Sequence, residues 1–417
     1  MAGKLFSVIE DVVLEKMIHG GRALTHLEDG RVALVRGGIP GERVSAELEE
    51  RKGVLQGWVV EVLEASEDRT EPPRHPGLDY GFIAYERQLE LKREVVGDAL
   101  SRALRREVEV GNVRAAPELW HYRSSVQPVA LKSELGYRQP ESHEVVTLAS
   151  DPVANEAINR VWQTWDSLKP PKGIRELVLR GNDDGEVLAS FIATTPAKNL
   201  LPFAHDLLRA GVKGVSYAPF DRRGRFRQGS EKLAGEKTIL QAYGDFTISV
   251  SATNFAQPNP SAASQLYKAL VELAPKGELA LDLYAGSGII GMHLLEKFDR
   301  VIALEIDRGS IVRGERDVER LGVKGIEFLK ADAKRVEIPD GTDLITVDPP
   351  RAGLNKDVRA VIDASGVPAL LYVSCDVATW ARDVAEFEKL GWRLEHFEPF
   401  DFYPHTHHIE LLSRLRR

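Results

Sequence analysis

The sequence predicts a multi-domain α/β protein with an N-terminal β-barrel, a central α+β domain and a C-terminal doubly wound, mostly parallel sheet. Residues 5–65 alternate apolar and polar side chains between Gly and Pro turns, a pattern typical of short antiparallel strands. Residues 64–77 are charged and proline-rich, which is typical of a linker. After residue 250, apolar strands alternate with helical segments, as in a parallel sheet covered by helices.

These changes of pattern define three expected domains. We expect a barrel at 1–65, a central α+β domain at 66–250 and the sheet domain at 251–417. Small barrels often grip oligonucleotides, although the same fold serves other roles. An amphipathic helix predicted over 85–107 is a candidate to pack on the third domain.

The composition narrows the class of protein. With 43% hydrophobic and 28% charged residues, the chain is typical of soluble globular proteins. It has no apolar run near the roughly 18 residues of a membrane helix, and its start lacks a secretory core. A single cysteine excludes an internal disulfide and predicts a reducing, cytoplasmic location, with a monomer as the default. The net charge of −8 argues mildly against a nucleic-acid partner, although local basic clusters exist.

A glycine-rich turn, "GSGIIG" at 286–291, follows a predicted strand and begins a helix. Alone, this motif binds NAD, FAD or S-adenosylmethionine, or is only a tight turn. Glu305 ends the next strand, where a carboxylate accepts both hydroxyls of a ribose. The acidic residue Asp282 within "LDLYAGSG" favours S-adenosylmethionine.

Two further motifs follow apolar strands, at the edge of the sheet where ligands bind. "DPPRAGL" at 348–354 presents Asp348 and Arg351, as in methyltransferases that act on flat nitrogenous rings, or it is merely a stiff loop. Cys375 ends the next strand and is either a small buried hydrophobe or a nucleophile. Because the thiolate is the reactive form, we expect the site to lower the pKa of Cys375.

The histidine-rich segment "YPHTHHIELL" at 403–412 resembles a metal cluster at first sight. If it is a strand, His405 and His407 share one face, while Thr406, His408 and Glu410 share the other. No three imidazoles then meet, so we expect no metal. A histidine and a carboxylate directed into a site suit proton transfer better.

Together, these residues resemble the uracil-5 RNA methyltransferase family over nearly the whole chain. Residues 19–44 are similar to the TRAM domain, an RNA-binding, OB-like barrel. "WHYRSSVQ" and "GYRQPESHEVV" resemble the family's central domain, and "NFAQPN" resembles its F-x-Q-x-N segment. "LDLYAGSG", "DPPRAGL", "VSCD" and "HTHHIE" follow in the family's order, which implies a Rossmann-like class I methyltransferase sheet.

The resemblance implies a mechanism on RNA. Cys375 adds to uracil carbon 6, carbon 5 takes a methyl group from S-adenosylmethionine, and Glu410 removes the proton from carbon 5. Asp348 binds the cofactor or the uracil edge, and Arg351 steadies the charge on the carbonyl. The candidate cofactor-binding residues are Gln257, Asp282, Tyr284, Gly286, Gly288, Glu305, Asp332 and Asp348. Among them, Asp332 is expected beside the adenine.

The chain departs from the family at several positions. Many members carry a four-cysteine iron–sulfur cluster, but His75, Leu78 and Asp151 stand where cysteines would be. One cysteine cannot hold a cluster, so we expect none and expect packing to hold the central domain together. Ala285 replaces the family's Cys in the glycine motif, and Asp376 follows the nucleophile in place of Asn. Asp376 would raise the pKa of the thiol if its side chain pointed inward.

Several alternatives stay open from the sequence. The barrel resembles that of the large-subunit rRNA enzymes, so 23S rRNA is the expected target and tRNA the alternative. A nicotinamide-dependent oxidoreductase would explain the glycine motif but not "DPPR", Cys375 or Glu410. A non-catalytic RNA-binding protein would use only the barrel and the central domain.

Overall fold

The structure, a computed structural model, describes residues 8–224 and 226–417. These residues form three large sheets, one hairpin and eight helices. None of the helices in the described ranges combines the length and apolar character that crossing a bilayer requires.

The N-terminal sheet has six strands in the order β1-β5-β6-β4-β3-β2. The strands are β1 (Val8–Val13), β2 (Lys16–Ile18), β3 (Arg22–His26), β4 (Val32–Arg36), β5 (Arg43–Arg51) and β6 (Val54–Glu64). The pairing is antiparallel except between β4 and β6, which are parallel, so the expectation of an antiparallel sheet was wrong for this pair. Only two residues separate β1 from β2, yet these strands are the two outer strands of the sheet, where β1 pairs with β5 and β2 pairs with β3. One bent segment therefore reaches both ends, around a core formed by alternate residues such as Ala23, Val35 and Val44.

The segment after β6 is ordered rather than a free linker. Glu42 is fully buried and accepts hydrogen bonds from the backbone N–H groups of Ile39 and Ser66. Arg69 donates to both oxygens of the same carboxylate, at 2.6 Å each. The predicted linker is thereby fixed to the N-terminal sheet.

The central sheet has the order β10-β9-β8-β11-β12-β13-β14, and β7 pairs with β11. Two helices, α2 and α3, cover its apolar face, where Trp165, Phe191 and Phe203 pack together. Asn155 caps α2 by accepting a hydrogen bond from the N–H of Ile158. The elements are β7 (Ser125–Val126), β8 (Val129–Leu131), β9 (Glu134–Arg138), β10 (Val145–Leu148), α2 (Glu156–Thr164), β11 (Ile174–Gly181), β12 (Val187–Ala193), α3 (Ala197–Arg209), β13 (Gly214–Pro219) and β14 (Glu231–Gly235).

The C-terminal sheet has seven strands in the order β19-β18-β17-β20-β21-β23-β22. Its first five strands are parallel, and β23 runs antiparallel to both of its neighbours. The strands are β17 (Gly277–Leu283), β18 (Phe298–Glu305), β19 (Ile326–Lys330), β20 (Leu344–Val347), β21 (Ala369–Ser374), β22 (Arg393–Phe400) and β23 (Glu410–Arg416). The helices are α4 (Pro260–Leu273), α5 (Ile289–Leu294), α6 (Arg308–Leu321), α7 (Lys356–Ala364) and α8 (Val377–Lys389). The strand order reverses beside β17, the position where doubly wound sheets bind ligands.

Two elements earlier in the chain belong to the core of this C-terminal sheet. Helix α1 (Tyr85–Leu104) packs on α8 and buries Leu91 and Leu100 there. Its Lys92 is fully buried and donates to Asp401 at 2.6 Å. The hairpin of β15 (Ile239–Tyr243) and β16 (Phe246–Val250) packs against α4. Both elements therefore contribute apolar side chains to the core of the C-terminal sheet.

Candidate active site

A cavity of about 1640 Å³ opens where the carboxyl ends of β17, β18, β20 and β21 meet. Strands β12, β13 and β14 of the central sheet form part of the opposite wall. The predicted residues that line it are Gln257, Tyr284, Gly286, Glu305, Asp348, Arg351, Cys375 and Glu410. These residues come from six separate chain segments, and the sheet topology brings them together.

The glycine turn lies between β17 and α5 on the floor of the cavity. Gly286 has a φ of 57°, and a Cβ there would meet no atom within 4 Å, so the turn presents bare backbone to the cavity. Gly288 starts α5 with a φ of 80°, and a Cβ there would lie 2.7 Å from the Phe328 ring. Glu305 accepts hydrogen bonds from the N–H groups of Gly286 at 2.9 Å and Asp307 at 2.8 Å. The acidic residue of the second strand is thereby fixed beside the first glycine.

Three predicted cofactor residues, Asp282, Gly288 and Asp332, are not among those that line the cavity. Asp282 is 1% exposed and accepts a hydrogen bond from the Thr346 hydroxyl at 2.6 Å. Burial raises the pKa of Asp282 to about 7, against the opposing effect of the Thr346 hydrogen bond. Asp332 accepts a hydrogen bond from the N–H of Lys334 and lies close enough to raise the pKa of Tyr284, after the larger effect of burial. These positions make Asp282 a support for the glycine turn and place Asp332 beside Tyr284.

The "NFAQPN" segment crosses the cavity and is held at both ends. The Tyr243 hydroxyl donates to the carbonyl oxygen of Gln257 at 2.7 Å. Asn259 is fully buried, caps α4 through the N–H of Ala262 and donates to the carbonyl oxygen of Phe402 at 2.8 Å. Gln257 is thus positioned by its neighbours, and Asn259 has a structural role.

The loop that carries Asp348 is built on a buried carboxylate. Asp383 is fully buried and accepts hydrogen bonds from the N–H of Leu354 and the hydroxyl of Tyr372. Arg359 also pairs with Asp383, at 2.7 Å. Pro349 and Pro350 have no N–H groups, so the turn after β20 keeps no free backbone donor there. Burial raises the pKa of Asp348 to about 7.

Cys375 follows β21 directly, on the edge that the sequence predicts. The pKa of its thiol is raised to about 11 from an ordinary 9.0. Burial is the largest cause, and the negative charges of Glu410 and Asp348 are the next largest. Arg351 opposes this shift. The expectation of a lowered pKa was therefore wrong, because burial of the thiol and then two nearby carboxylates disfavour the thiolate.

Glu410 is the first residue of β23 and is 4% exposed. Burial and the nearby Asp348 raise its pKa well above the ordinary value, and Arg351 opposes them. Asp348, Cys375 and Glu410 are therefore three acidic groups of the cavity that favour their protonated forms, and the charge of Arg351 opposes the shifts of Cys375 and Glu410.

Residues 403–409 form turns and not the strand that the sequence predicts. His405 has a φ of 66° and stacks on Trp120 with ring centroids 3.9 Å apart. His407 donates to or accepts from Asp79 at 2.5 Å through its Nδ1 atom, whereas His408 lines the cavity. Burial and then the charge of His407 lower the pKa of His408 to about 3. The predicted pairing of faces was wrong, because a strand begins only at Glu410.

Asp376, the residue after Cys375, has its carboxylate held by two other groups. Its carboxylate caps α8 by accepting from the N–H of Thr379 at 2.9 Å, and it pairs with His19 of the N-terminal sheet at 3.2 Å. Burial raises the pKa of Asp376, but the His19 and Thr379 hydrogen bonds outweigh it and leave the pKa low. Its effect on the Cys375 pKa is smaller than that of Glu410, Asp348 or Arg351.

Three residues that the sequence analysis does not single out also line the cavity: Phe255, Arg313 and Tyr403. Phe255 is 80% exposed, and its place two residues before Gln257 was the available signal. Tyr403 lies beside the histidine-rich segment, whereas no sequence motif marks Arg313.

The positions of the missing cysteines form a buried cluster in the central domain. His75 Nε2 lies 3.6 Å from Asp151, and the Tyr137 hydroxyl donates to Asp151 at 2.5 Å. Leu78 packs with Tyr122 and other apolar residues. The sequence predicts that packing holds this region together. The structure adds an ion pair and a hydrogen bond that join its segments. No three His, Cys, Asp or Glu side chains in the described ranges are arranged to hold a metal ion.

The fold and the cavity define a doubly wound enzyme domain with a glycine turn, an acidic second strand and a cysteine at the ligand-binding edge. Residues 340–417 match the family model of the tRNA (uracil-5-)-methyltransferases. The chain is 30% identical over 433 residues to an RNA methyltransferase of Thermotoga maritima, covering 97% of this chain and 98% of that one. It is 29% identical to an RNA methyltransferase of Thermosynechococcus vestitus, covering 96% of each chain. The chain belongs to the S-adenosylmethionine-dependent uracil-5 RNA methyltransferase family.

A solved structure has the same fold along the whole chain. The tRNA (uracil-54, C5)-methyltransferase of Pyrococcus abyssi, in complex with S-adenosyl-L-homocysteine, superposes with a TM-score of 0.78 at 24% identity. The match covers 97% of this chain and 100% of the other.

Proposed function

We propose that the protein forms 5-methyluridine in RNA, with S-adenosylmethionine as the methyl donor. The observation that carries the proposal is the convergence of Cys375, Glu410, Asp348 and Arg351 on one cavity that also contains the glycine turn. An oxidoreductase would need the glycine turn but would leave these four side chains without a role. A protein that only binds RNA would need neither.

The cavity residues fit S-adenosylmethionine. The bare backbone at Gly286 leaves room for a ligand to lie against the turn, and Glu305 has lone pairs left for ribose hydroxyls. Gln257 and Tyr284 complete the proposed contacts on the same side of the cavity. When bound, the cofactor supplies an electrophilic methyl group.

The side chains on the opposite side of the cavity suit the chemistry of uracil. Carbon 5 of uracil is a poor nucleophile until a group adds to carbon 6. The Cys375 sulfur, after loss of its proton, forms the bond to carbon 6, and the electrons of the ring double bond move to the carbonyl oxygen. Arg351 provides a positive charge for that oxygen. Carbon 5 then becomes able to take the methyl group.

Glu410 is proposed to complete the reaction as a base. Its carboxylate takes the proton from carbon 5, the ring double bond forms again, and the bond between carbon 6 and sulfur breaks. A raised pKa makes the ionised carboxylate a stronger base than an exposed glutamate, once Arg351 and the substrate favour its ionised form. Asp348 is proposed to bind either the cofactor or the uracil edge.

Two RNA classes remain as targets. The N-terminal sheet, which we propose to be an OB-like TRAM barrel that binds RNA, favours 23S rRNA by its resemblance to the large-subunit enzymes. The fold shared with a tRNA uracil-54 enzyme and the name of the matching family model favour tRNA. The experiment below distinguishes the two.

A covalent-adduct experiment tests the proposal. The protein and S-adenosylmethionine are mixed with tRNA or rRNA containing 5-fluorouridine, whose carbon 5 has no proton to lose. We expect a denaturation-resistant RNA–protein adduct that disappears in Cys375→Ser, a variant that keeps the volume of the side chain. Sequencing the attached RNA identifies the target. No adduct on either RNA, with cofactor binding intact, would contradict the uracil mechanism.

A second variant tests the base. With ordinary RNA, Glu410→Gln is expected to accumulate a methylated adduct, because the carbon 5 proton stays in place. Glu327→Gln makes the same chemical change on exposed strand β19, outside the cavity, and is expected to accumulate none. Rapid turnover by Glu410→Gln would rule out this role for Glu410.

A further inference from the structure

A second cavity, of about 300 Å³, lies between the N-terminal sheet, the following segment and the β9–β10 hairpin. Trp58 of β6 and Phe82 form aromatic parts of its wall, and Gln139 and Pro140 contribute the hairpin turn. Trp58 is 41% exposed, whereas the other five tryptophans are buried or half-buried. An exposed aromatic ring at the rim of a cavity is a surface on which a flat ligand can stack.

The second cavity is also rich in arginine. Arg36 and Arg74 line it, and the Arg36 guanidinium lies 5.8 Å from the centre of the Trp58 ring. Arg74 is exposed, and none of the ion pairs in the described ranges includes it. An aromatic ring combined with guanidinium groups is a common arrangement in proteins that bind single-stranded nucleic acid.

Beside this cavity, one carboxylate holds several cations. Glu141, at the tip of the β9–β10 hairpin, lies 2.6 Å from Arg22 and 3.9 Å from Arg36, and it also contacts Arg51. Arg51 is shared with Glu49. Arg36 is shared with a second carboxylate, since its Nη1 atom lies 3.4 Å from Asp79. Arg22, Arg36 and Arg51 therefore share the carboxylates of Glu141, Glu49 and Asp79, whereas Arg74 is in none of these ion pairs.

The second cavity is next to the active-site cavity. Asp79 lines the second cavity and accepts a hydrogen bond from the backbone N–H of His407 at 3.0 Å. The His407 ring lies 4.2 Å from the His408 ring, which lines the active-site cavity. A chain of contacts through Asp79, His407 and His408 therefore connects the linings of the two cavities.

We propose that the second cavity binds a nucleotide of the substrate RNA that is not itself methylated. Its base stacks on Trp58, and its phosphate group pairs with Arg74 and Arg36. This inference rests on the proposed RNA substrate. The volume of the cavity is at the small end of ligand sites and suits one base rather than a folded helix. Stacking does not read sequence, so the site adds affinity for RNA without choosing the uridine.

Fluorescence of Trp58 provides a test that is independent of methyl transfer. A single-stranded RNA of mixed sequence, about 12 nucleotides long, is titrated into the protein while tryptophan emission is recorded. We expect quenching in the wild type. In anisotropy titrations with the same RNA carrying a fluorescent label, we expect RNA affinity to be roughly 5- to 150-fold lower in Trp58→Leu than in the wild type. Trp58→Phe keeps an aromatic face and is expected to retain most of the affinity. Val60→Ala, on the same strand and 59% exposed, is the matched control and is expected to bind like the wild type.

The salt dependence tests the charged part of the site. Arg74→Gln is expected to reduce the slope of log Kd against log salt concentration by about 0.7, the value for one phosphate contact on a single strand. Equal affinity in Trp58→Leu, Trp58→Phe and the wild type would overturn the proposal. If Trp58→Leu loses affinity and also shows no cooperative thermal unfolding, that loss would not support the proposal. The results for Trp58→Phe and Arg74→Gln would then test the site. If RNA quenches Trp58 but Cys375 forms no adduct, the site stands and the proposed function fails.

Discussion

The reactivity of Cys375 provides a direct measure of the electrostatics of the active-site cavity. It is the single cysteine of the chain, so alkylation by iodoacetamide reports on this thiol alone. With a pKa of about 11 instead of 9.0, the thiolate fraction at pH 8 falls from about 10% to about 0.1%. We expect alkylation about 100-fold slower than for an ordinary thiol of equal access, with a midpoint near pH 11.

The variant Glu410→Gln removes the second-largest cause of this raised pKa. Burial is the larger cause, and the contribution of Asp348 exceeds the opposing one of Arg351. Glu410 therefore accounts for at most half of the displacement from 9.0 to about 11, so the variant reacts at most about tenfold faster. Because Glu410 acts on the thiol only when it is ionised, the two rate profiles coincide in acid and separate as the pH rises.

The assay is the pH dependence of alkylation, measured by intact mass. A change in access multiplies the rate equally at every pH, whereas a change in pKa moves the midpoint. Glu327→Gln, an exposed change far along the sheet on β19, is expected to leave the profile unchanged. A wild-type midpoint near 9, or a midpoint in Glu410→Gln that is unchanged or higher, would refute this account of the cavity.

Three further predictions concern stability. Lys92→Met leaves Asp401 buried without its cation and is expected to lower the free energy of unfolding by about 3–5 kcal/mol in denaturant titrations. Asn259→Ala removes a buried cap and is expected to cost about 1–2 kcal/mol in the same assay. Burial raises the pKa of Asp79, but His407 outweighs it and leaves the pKa low. The ionised Asp79 carboxylate therefore contributes its full stabilisation above pH 3.8, and this contribution is lost as the pH falls through the lowered pKa. In Asp79→Asn, this part of the decrease in the free energy of unfolding at acid pH is expected to be absent.

The predictions for Lys92 and Asn259 each have a matched control. Lys16→Met breaks an exposed ion pair with Asp98 and is expected to cost less than about 1 kcal/mol. Asn355 caps α7 by accepting a hydrogen bond from the exposed N–H of Asp357. Asn355→Ala is therefore expected to lower the free energy of unfolding less than Asn259→Ala does. A loss in Lys92→Met no larger than in Lys16→Met would mean that the buried pair is not held as described.

The sequence predicted the site residues that follow apolar strands. Asp348 and Cys375 follow β20 and β21, and parallel strands carry such residues to one edge wherever the chain between them runs. The histidine-rich segment was misjudged because a period of two was assumed where the chain turns at His405. The raised pKa of Cys375 was not predictable, because burial and Glu410 depend on packing between segments far apart in the chain.

Contacts between domains were equally beyond the sequence. His19 reaches Asp376, and Trp58 faces the hairpin of the central sheet, through folding of segments that carry no common motif. Asp376 connects the N-terminal sheet to the first turn of α8, and it raises the pKa of the Cys375 thiol less than Glu410 or Asp348 does.

Helix α1 has a consequence for how the molecule can be divided. Helix α1, which belongs to the core of the C-terminal sheet, precedes the central sheet in the chain, and Lys92 and Asp401 are 309 positions apart. A fragment of residues 251–417 would lack this helix, expose the apolar surface that Leu91 and Leu100 cover, and leave Asp401 without its cation. The central sheet therefore lies between two parts of this core in the chain, and closing such a long loop is slow. The chain segments before and after the central sheet must come together before the core of the C-terminal sheet is complete.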